Sequence, residues 1–240
     1  MPNPTAAMLV IGDEILSGRT RDSNMFHLAG ELTRVGIDLA EVRVVADDRD
    51  AIISAVRALS AGYAQVFTSG GIGPTHDDIT ADCIAAAFDV PIDVRADARA
   101  ILAAHYARSG TALNAARLRM ARIPDGAALI DNPVSAAPGF SLGNVHVMAG
   151  VPSVFQAMVA SVLPGLTGGV PLISRTWRIE KGEGDIAGPL TLLAQEYPDL
   201  TMGSYPFNQN GTYGANIVIR GQDLARIDAA MDRLMGLFPA

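Results

Sequence analysis

The first half of the chain alternates between short apolar runs and longer stretches in which apolar residues recur three and four positions apart. Short apolar runs are typical of buried strands, and the three-and-four spacing is typical of amphipathic helices. The predicted strands lie at 5–11, 37–45 and 65–68, and the predicted helices at 25–35, 52–59 and 77–87. Strands that alternate with helices indicate an α/β protein with a doubly wound, mostly parallel sheet.

The pattern continues with helices at 96–108 and 114–120, a buried strand at 145–148 and a helix at 152–163. Glycine and proline then interrupt regular structure between 164 and 171, so we predict two domains, 1–168 and 169–240. The second domain has the order βαββα, which indicates a small α+β unit. Its strands are predicted at 175–179, 200–205 and 213–220, and its helices at 185–195 and 223–237.

Composition excludes several classes of protein. The 240 residues carry a net charge of −7, which disfavours nucleic acid as a partner because binding of polyanions depends on clustered cations. No apolar run reaches bilayer length, and the single cysteine, Cys83, excludes an intramolecular disulfide framework. We therefore expect a soluble cytoplasmic protein that binds neither nucleic acid nor a membrane.

The sequence Thr-Ser-Gly-Gly-Ile-Gly-Pro-Thr-His-Asp-Asp-Ile-Thr at 68–80 lies between a predicted strand and a predicted helix. Glycines let backbone N–H groups approach an anion closely, and a helix N-terminus adds partial positive charge. We expect Gly70, Gly71 and Gly73 to hold phosphate, with hydroxyls from Ser69 and Thr75. The adjacent carboxylates of Asp77 and Asp78 are oxygen ligands suited to magnesium. A second interpretation is that Thr75 and Asp78 merely form a helix capping box.

More carboxylates follow the first two predicted strands: Asp13 and Glu14 after the first, and Asp47 after the second. They are expected at the same sheet edge as the glycine loop, where open α/β sheets bind ligands. Because acidic groups around a phosphate repel it, this arrangement implies a divalent cation. For Asp22 and Asp48, helix N-capping is an equal alternative.

Three motifs occur in order along 5–165. They are Gly12-Asp13-Glu14-Ile15-Leu16 with Asp22 and Asn24, the glycine loop through Thr80, and Ala137-Pro138-Gly139-Phe140. Together they resemble the MoaB/MogA-like molybdopterin-binding domain family, in its CinA N-terminal branch. The small second domain resembles, more weakly, the one that follows in CinA-type proteins, and we expect no deamidase domain after it.

The resemblance implies that Asp78 and Asp47 are catalytic and that Asp13, Glu14, Asp77 and Asp78 hold a metal, magnesium or cobalt. It also implies ligand contacts from Asn132, Pro138 and Gly139. The substrate would be molybdopterin or an ADP-ribose-like nucleotide, and the protein a homo-oligomer. The sequence departs from the family at Ser135-Ala136, where the branch has Gly-Thr, and this removes a hydroxyl.

Two functions fit these residues. The first is metal-dependent phosphoanhydride chemistry, either molybdopterin adenylylation or ADP-ribose pyrophosphatase activity. The second is a non-catalytic pterin- or nucleotide-binding, regulatory module. The retained acidic residues favour catalysis, because a module that only binds its ligand needs no carboxylates that could hold a metal ion beside the phosphate.

Overall fold

A computed structural model describes residues 2–209 and 211–238. The chain folds as two compact units, Met1–Gly169 and Val170–Ala240. The strands are β1 Thr5–Ile11, β2 Asp38–Val45, β3 Gln65–Ser69, β4 Ile92–Val94, β5 Arg122–Pro124, β6 Ala128–Ile130, β7 Gly139–Leu142, β8 Val145–Met148, β9 Ile173–Ile179, β10 Thr201–Gln209 and β11 Thr212–Gly221. The helices are α1 Asp13–Leu16, α2 Asn24–Arg34, α3 Arg49–Gly62, α4 Thr80–Phe88, α5 Ala96–Arg108, α6 Ala115–Leu118, α7 Pro152–Val162, α8 Glu183–Glu196 and α9 Leu224–Gly236. Within the described residues, every helix is too short or too polar to traverse a lipid bilayer.

The first unit is built on a six-stranded sheet in the order β2-β1-β3-β8-β7-β6. Strands β2, β1, β3 and β8 run parallel to one another, and β7 and β6 extend the sheet through the antiparallel pairs β8–β7 and β7–β6. The predicted mostly parallel α/β sheet is confirmed. Because β1 has β2 on one side and β3 on the other, the carboxyl ends of β1 and β3 form a topological switch point, where ligands bind in open α/β sheets.

Strand β1 is at the centre of the first unit because its residues are buried on both faces of the sheet. Ala7, Leu9 and Ile11 pack with α3, α4 and α5 on one face. Ala6, Met8 and Val10 pack with α2 and α7 on the other. A strand covered on both faces has no polar side, which explains its uninterrupted apolar sequence.

Two features of the first unit differ from prediction. Helix α4 begins at Thr80 rather than near Asp77, because the Asp78 carboxylate bonds the Thr75 N–H and holds this segment in a turn outside the helix. Strands β4 to β7 were not predicted, since a strand of three or four residues is too short to show a period and is recognised only when, as in β8, it reads as a buried apolar run.

The second unit has an antiparallel sheet in the order β10-β11-β9, with α8 and α9 packed together with it around one apolar core. Ile217 and Ile219 of β11 are fully buried in that core beside Ile186 of α8 and Ile227 of α9. The predicted small βαββα unit is confirmed. Pro189 lies inside α8, as the predicted helix at 185–195 implies, although proline is usually disfavoured in the interior of a helix.

His146 on β8 is a buried titratable group in the core sheet. Its Nε2 lies 2.8 Å from Gln65 Oε1 and its Nδ1 lies 2.8 Å from Ser141 Oγ. An amide oxygen accepts from Nε2–H while a hydroxyl donates to Nδ1, so the neutral ring satisfies both contacts. Burial lowers the pKa of His146 to about 4.

We therefore expect the free energy of unfolding to fall as the pH decreases from about 6.5 to about 4. In that window the unfolded chain binds a proton that the folded His146 resists, and the limiting loss is about 3 kcal/mol. Urea unfolding at several pH values measures it. His146→Gln should be less stable than wild type at pH 7 but lose less on acidification. His76→Gln serves as control because His76 is exposed, and an acid response of His146→Gln as steep as that of wild type would contradict the assignment.

Candidate functional site

A cleft of about 520 Å³ opens at the carboxyl ends of β1 and β3. One wall is the glycine loop after β3, another follows β1, and a third follows β8 at Ala149 to Pro152. This is the edge at which the sequence placed the site. Residues 149–152 of the β8 wall are not among the predicted site residues, although their position after a strand adjacent to β3 would have indicated them.

The glycine loop approaches β1 so closely that its first residue must be glycine. Gly70 has φ +113°, and a Cβ there would lie 2.1 Å from the carbonyl oxygen of Ile11. The Gly70 N–H donates to Met148 O at 3.1 Å, so it is not free for a phosphate. Gly70 therefore closes the base of the cleft, and its own amide is not a ligand-binding group.

The next part of the loop is fixed from behind by Thr80, which is fully buried. Thr80 Oγ1 donates to Gly70 O and Thr80 N to Gly71 O, each at 3.0 Å. Among the residues described, no acceptor bonds the N–H groups of Gly71, Ile72 and Gly73. Unpaired N–H groups lining a cleft are the arrangement that binds an anion.

Asp78 contacts the later part of the loop. Its Oδ2 accepts from the Thr75 N–H at 2.7 Å and from Thr75 Oγ1 at 2.5 Å. Since α4 begins two residues later, this pair is not a helix capping box but closes a turn. A Cβ on Gly73 would lie 2.6 Å from Asp78 Oδ2, so glycine at 73 leaves room for the carboxylate.

A group of carboxylates surrounds the other side of the cleft. Asp47 Oδ2 accepts from the Asp13 N–H at 3.0 Å, and the Glu14 side chain folds back over Gly12. Partial burial raises the pKa of Asp47, and the nearby negative charges of Asp13, Glu14 and Asp77 raise it further against the opposing hydrogen bond. The protein thus holds Asp47 in a place that disfavours its charge, which is typical of functional sites.

Of the predicted site residues, the structure brings eight together along the cleft. They are Glu14, Asp47, Gly70, Gly71, Gly73, Asp77, Asp78 and Asn132. Ser69 lines a side pocket of the cleft, and Pro138 lines a small cavity behind the glycine loop. Asp13, Thr75 and Gly139 are not part of the cleft wall.

Two of the predicted contacts have structural roles. Asn132 Nδ2 donates to Ser135 Oγ and Ala137 O, and its Oδ1 accepts from the N–H groups of Val134 and Ser135, so the side chain shapes its own loop. Gly139 lies within β7, where a Cβ would approach Val147 O to 2.4 Å. Asp48, left open in the sequence, caps α3 by accepting from the Ala51 N–H.

No group of three or more His, Cys, Asp or Glu side chains is already arranged to hold a metal within 2–209 and 211–238. Magnesium does not require such a cage, because it is commonly bound by one or two carboxylates together with substrate phosphates and water. The carboxylates of Glu14, Asp47, Asp77 and Asp78 on the cleft wall fit that donor chemistry.

Alanine substitutions at two glycines of the loop should have different effects: one should mainly lower the stability of the fold, and the other should mainly displace a carboxylate of the cleft. We expect Gly71→Ala to destabilise the fold by about 1–3 kcal/mol, because Gly71 has φ +67° and its Cβ would meet Thr80 Oγ1 at 2.1 Å. Gly73→Ala meets only the end of the Asp78 side chain, so we expect a loss below about 1 kcal/mol with the carboxylate displaced. Thermal melts and ligand titrations of both variants measure this. Equal destabilisation by the two changes would contradict it.

Asp47→Asn should raise the melting temperature at pH 7, because the folded protein disfavours the Asp47 charge. The raised pKa means that stability is present at low pH and lost as the pH rises through it, so the difference from wild type should disappear below about pH 3. Asp48→Asn is the matched control, since asparagine also caps helices. A lower melting temperature for Asp47→Asn at pH 7 would show that its charge is structural.

Comparison with known proteins identifies relatives of this chain. Residues 7–168 match the family model described as "Probable molybdopterin binding domain", and 171–240 match the middle domain of FAD synthase. A solved structure titled the protein CinA with unknown function, from Thermoplasma acidophilum, is 34% identical. It covers 68% of this chain and 97% of that one, with a TM-score of 0.62.

Two curated relatives match different shares of this chain. A "CinA-like protein" of Citrifermentans bemidjiense is 38% identical over 68% of this chain and 40% of its own length. A "Probable FAD synthase" of Caenorhabditis elegans is 30% identical over 97% of this chain and 50% of its own length. The chain spans 50–64% of the length of the first curated relatives that it matches. A family model that covers about two thirds of the chain, together with the switch-point cleft, shows that this protein belongs to the MoaB/MogA-like molybdopterin-binding family, with CinA-like relatives.

Proposed function

We propose that the protein binds a phosphate-bearing pterin or nucleotide in the switch-point cleft and carries out metal-dependent phosphoanhydride chemistry on it. The observation that carries the proposal is the meeting of two kinds of group in one cleft. The unpaired N–H groups of residues 71–73 attract an anion, and four carboxylates on the same walls attract a cation. An anion beside four carboxylates is stable only when a cation lies between them.

In this proposal the residues have separate roles. The N–H groups of Gly71, Ile72 and Gly73 hold the phosphates, and Asp77 and Asp78 with Glu14 or Asp47 hold magnesium or cobalt. The metal would neutralise charge on the phosphate oxygens when bound. Arg119 Nη2 donates to the carbonyl oxygen of Asp78 at 3.2 Å, so Arg119 steadies the backbone that carries this carboxylate.

The proposal covers two reactions: adenylylation of molybdopterin, and hydrolysis of an ADP-ribose-like pyrophosphate. Their difference lies in the nucleophile, a ligand oxygen in the first and water in the second. The cleft of about 520 Å³ has the size of a small-molecule site and is wide enough for either ligand.

One observation favours a second candidate, a binding or regulatory module without turnover. Asp78 Oδ2 already accepts two hydrogen bonds from Thr75, which is enough to account for this carboxylate as a turn-closing residue. In that case the site would bind the phosphate ligand and leave it unchanged.

Asp78→Asn separates the two candidates. Asparagine keeps an oxygen that accepts from Thr75 but removes the charge that a metal requires, so we expect turnover to fall by at least about 100-fold with a nearly unchanged melting temperature. The assays are metal-dependent hydrolysis of ADP-ribose and adenylylation of molybdopterin with ATP. Thr75→Val is the matched control, because it removes one hydrogen bond to Asp78 and keeps the charge. Wild-type turnover in Asp78→Asn would overturn the catalytic proposal.

Assembly as a homo-oligomer, as in the resembling family, is also part of the proposal. The large apolar side chains of Leu16, Met25 and Phe26 lie exposed on and near α1 and α2, and Phe26 is 81% exposed. Exposed apolar patches commonly mark contacts between proteins. Sedimentation equilibrium should show a multimer, and Phe26→Ser should shift it toward the monomer. A wild-type monomer at all concentrations would contradict this expectation.

A further inference from the structure

Asn24, the first residue of α2, lies below the glycine loop with 3% of its surface exposed. Its Nδ2 donates to Gly150 O and to Ser69 Oγ, both at 2.8 Å. A carbonyl oxygen only accepts, so Gly150 fixes which end of the amide carries the nitrogen. The direction of the Asn24 carbonyl oxygen is therefore determined.

That oxygen, Asn24 Oδ1, is buried and has no hydrogen-bond partner among the residues described. Two other asparagines of the same unit differ: Oδ1 of Asn132 accepts from two backbone N–H groups, and Oδ1 of Asn144 accepts from Ser60 Oγ at 2.6 Å. Buried acceptors without partners are rare because an unmade hydrogen bond is costly, so this oxygen calls for a donor that is not part of the chain.

Ser69 completes the arrangement. Its hydroxyl oxygen accepts from Asn24, which leaves the hydroxyl hydrogen to be donated, and no acceptor for it occurs in the part of the chain that the structure describes. Asn24 Oδ1 and the Ser69 hydroxyl hydrogen are thus an unfilled acceptor and an unfilled donor on two side chains bonded to each other.

Both residues line a side pocket of about 60 Å³. The pocket shares Glu14, Thr20, Gly150 and Pro152 with the main cleft, so it continues the site described above. This volume accommodates a few water molecules or the polar edge of a ring, but not a whole bicyclic ring, which would remain in the main cleft.

We propose that this side pocket binds the edge of a nitrogen heterocycle that presents an N–H donor beside a ring nitrogen or carbonyl acceptor. The donor bonds Asn24 Oδ1, and the acceptor takes the Ser69 hydroxyl hydrogen. The inference rests on the proposed function for the class of ligand, and it adds the orientation of that ligand in the cleft. The heterocycle lies toward α2, and the phosphates lie toward residues 71–73. Adenine and pterin both carry this donor-acceptor edge.

Calorimetric titration with AMP, purine riboside monophosphate and 1-deaza-AMP, each in the presence of the same concentration of magnesium, tests the two contacts separately. Purine riboside monophosphate lacks the 6-amino donor, and 1-deaza-AMP lacks the ring acceptor. We expect each analogue to bind wild-type protein about 5- to 50-fold more weakly than AMP, because each leaves one buried partner unpaired. A parallel titration with pterin distinguishes the two sources of the edge.

Variants of the protein complete the test. In Asn24→Ala the preference for AMP over purine riboside monophosphate should disappear. In Ser69→Ala the preference for AMP over 1-deaza-AMP should disappear, while the preference for AMP over purine riboside monophosphate remains. Asn144→Ala is the matched control, because it removes an asparagine whose Oδ1 already has a partner and should keep both preferences.

Equal binding of AMP and its analogues to wild type, or failure of both AMP and pterin to bind, would overturn the inference. So would an unchanged preference in Asn24→Ala and Ser69→Ala. The comparison among ligands on wild-type protein needs no variant to fold. Since no turnover is measured, loss of the phosphoanhydride proposal through Asp78→Asn leaves this result standing on its own.

Discussion

The close approach of the backbone after β3 to the backbone after β1 is the contact on which the rest of the site depends. A Cβ at Gly70 would lie 2.1 Å from Ile11 O, so two neighbouring strands can end side by side here only because one of them continues as glycine. Thr80 then fixes the carbonyl oxygens of Gly70 and Gly71. Residues 71–73 line the cleft, and in the described part of the chain their N–H groups have no hydrogen-bond acceptor.

The carboxylates beside the cleft repel one another, which disfavours the charged form of Asp47. Asp47 is partly buried near Asp13, Glu14 and Asp77, and its pKa is raised for that reason. The fold tolerates this repulsion because the two faces of β1 are buried in large apolar clusters. A stable core that carries an unfavourable surface cluster is the usual relation between a scaffold and a functional site.

The residues of the predicted site divide into those that line the cleft and those that shape its walls from outside it. Asn132 and Gly139 were expected at the ligand, yet one bonds its own loop and the other makes room for a neighbouring strand. Asn24 was noted in a motif without a role, and it lies beneath the cleft with an unfilled acceptor. Residue type and position in a motif do not distinguish a residue that lines the cleft from one that shapes its wall. The direction of the side chain in the folded structure distinguishes them.

The sequence by itself determined the layered α/β architecture, the small βαββα unit and the sheet edge at which the site lies. These follow from the spacing of apolar residues within each segment and from the rule that parallel strands place their carboxyl ends at the same edge of the sheet. The spacing of apolar residues can be recognised from short stretches of consecutive residues. The tertiary structure alone decided that α4 begins at Thr80, that Gly70 uses its N–H to bond Met148, and that Asn24 meets Ser69 and Gly150. The last two depend on hydrogen bonds between segments far apart in the chain, and the first depends on the local bond between Asp78 and Thr75. Such bonds leave no periodic signal, because either partner alone fits several environments.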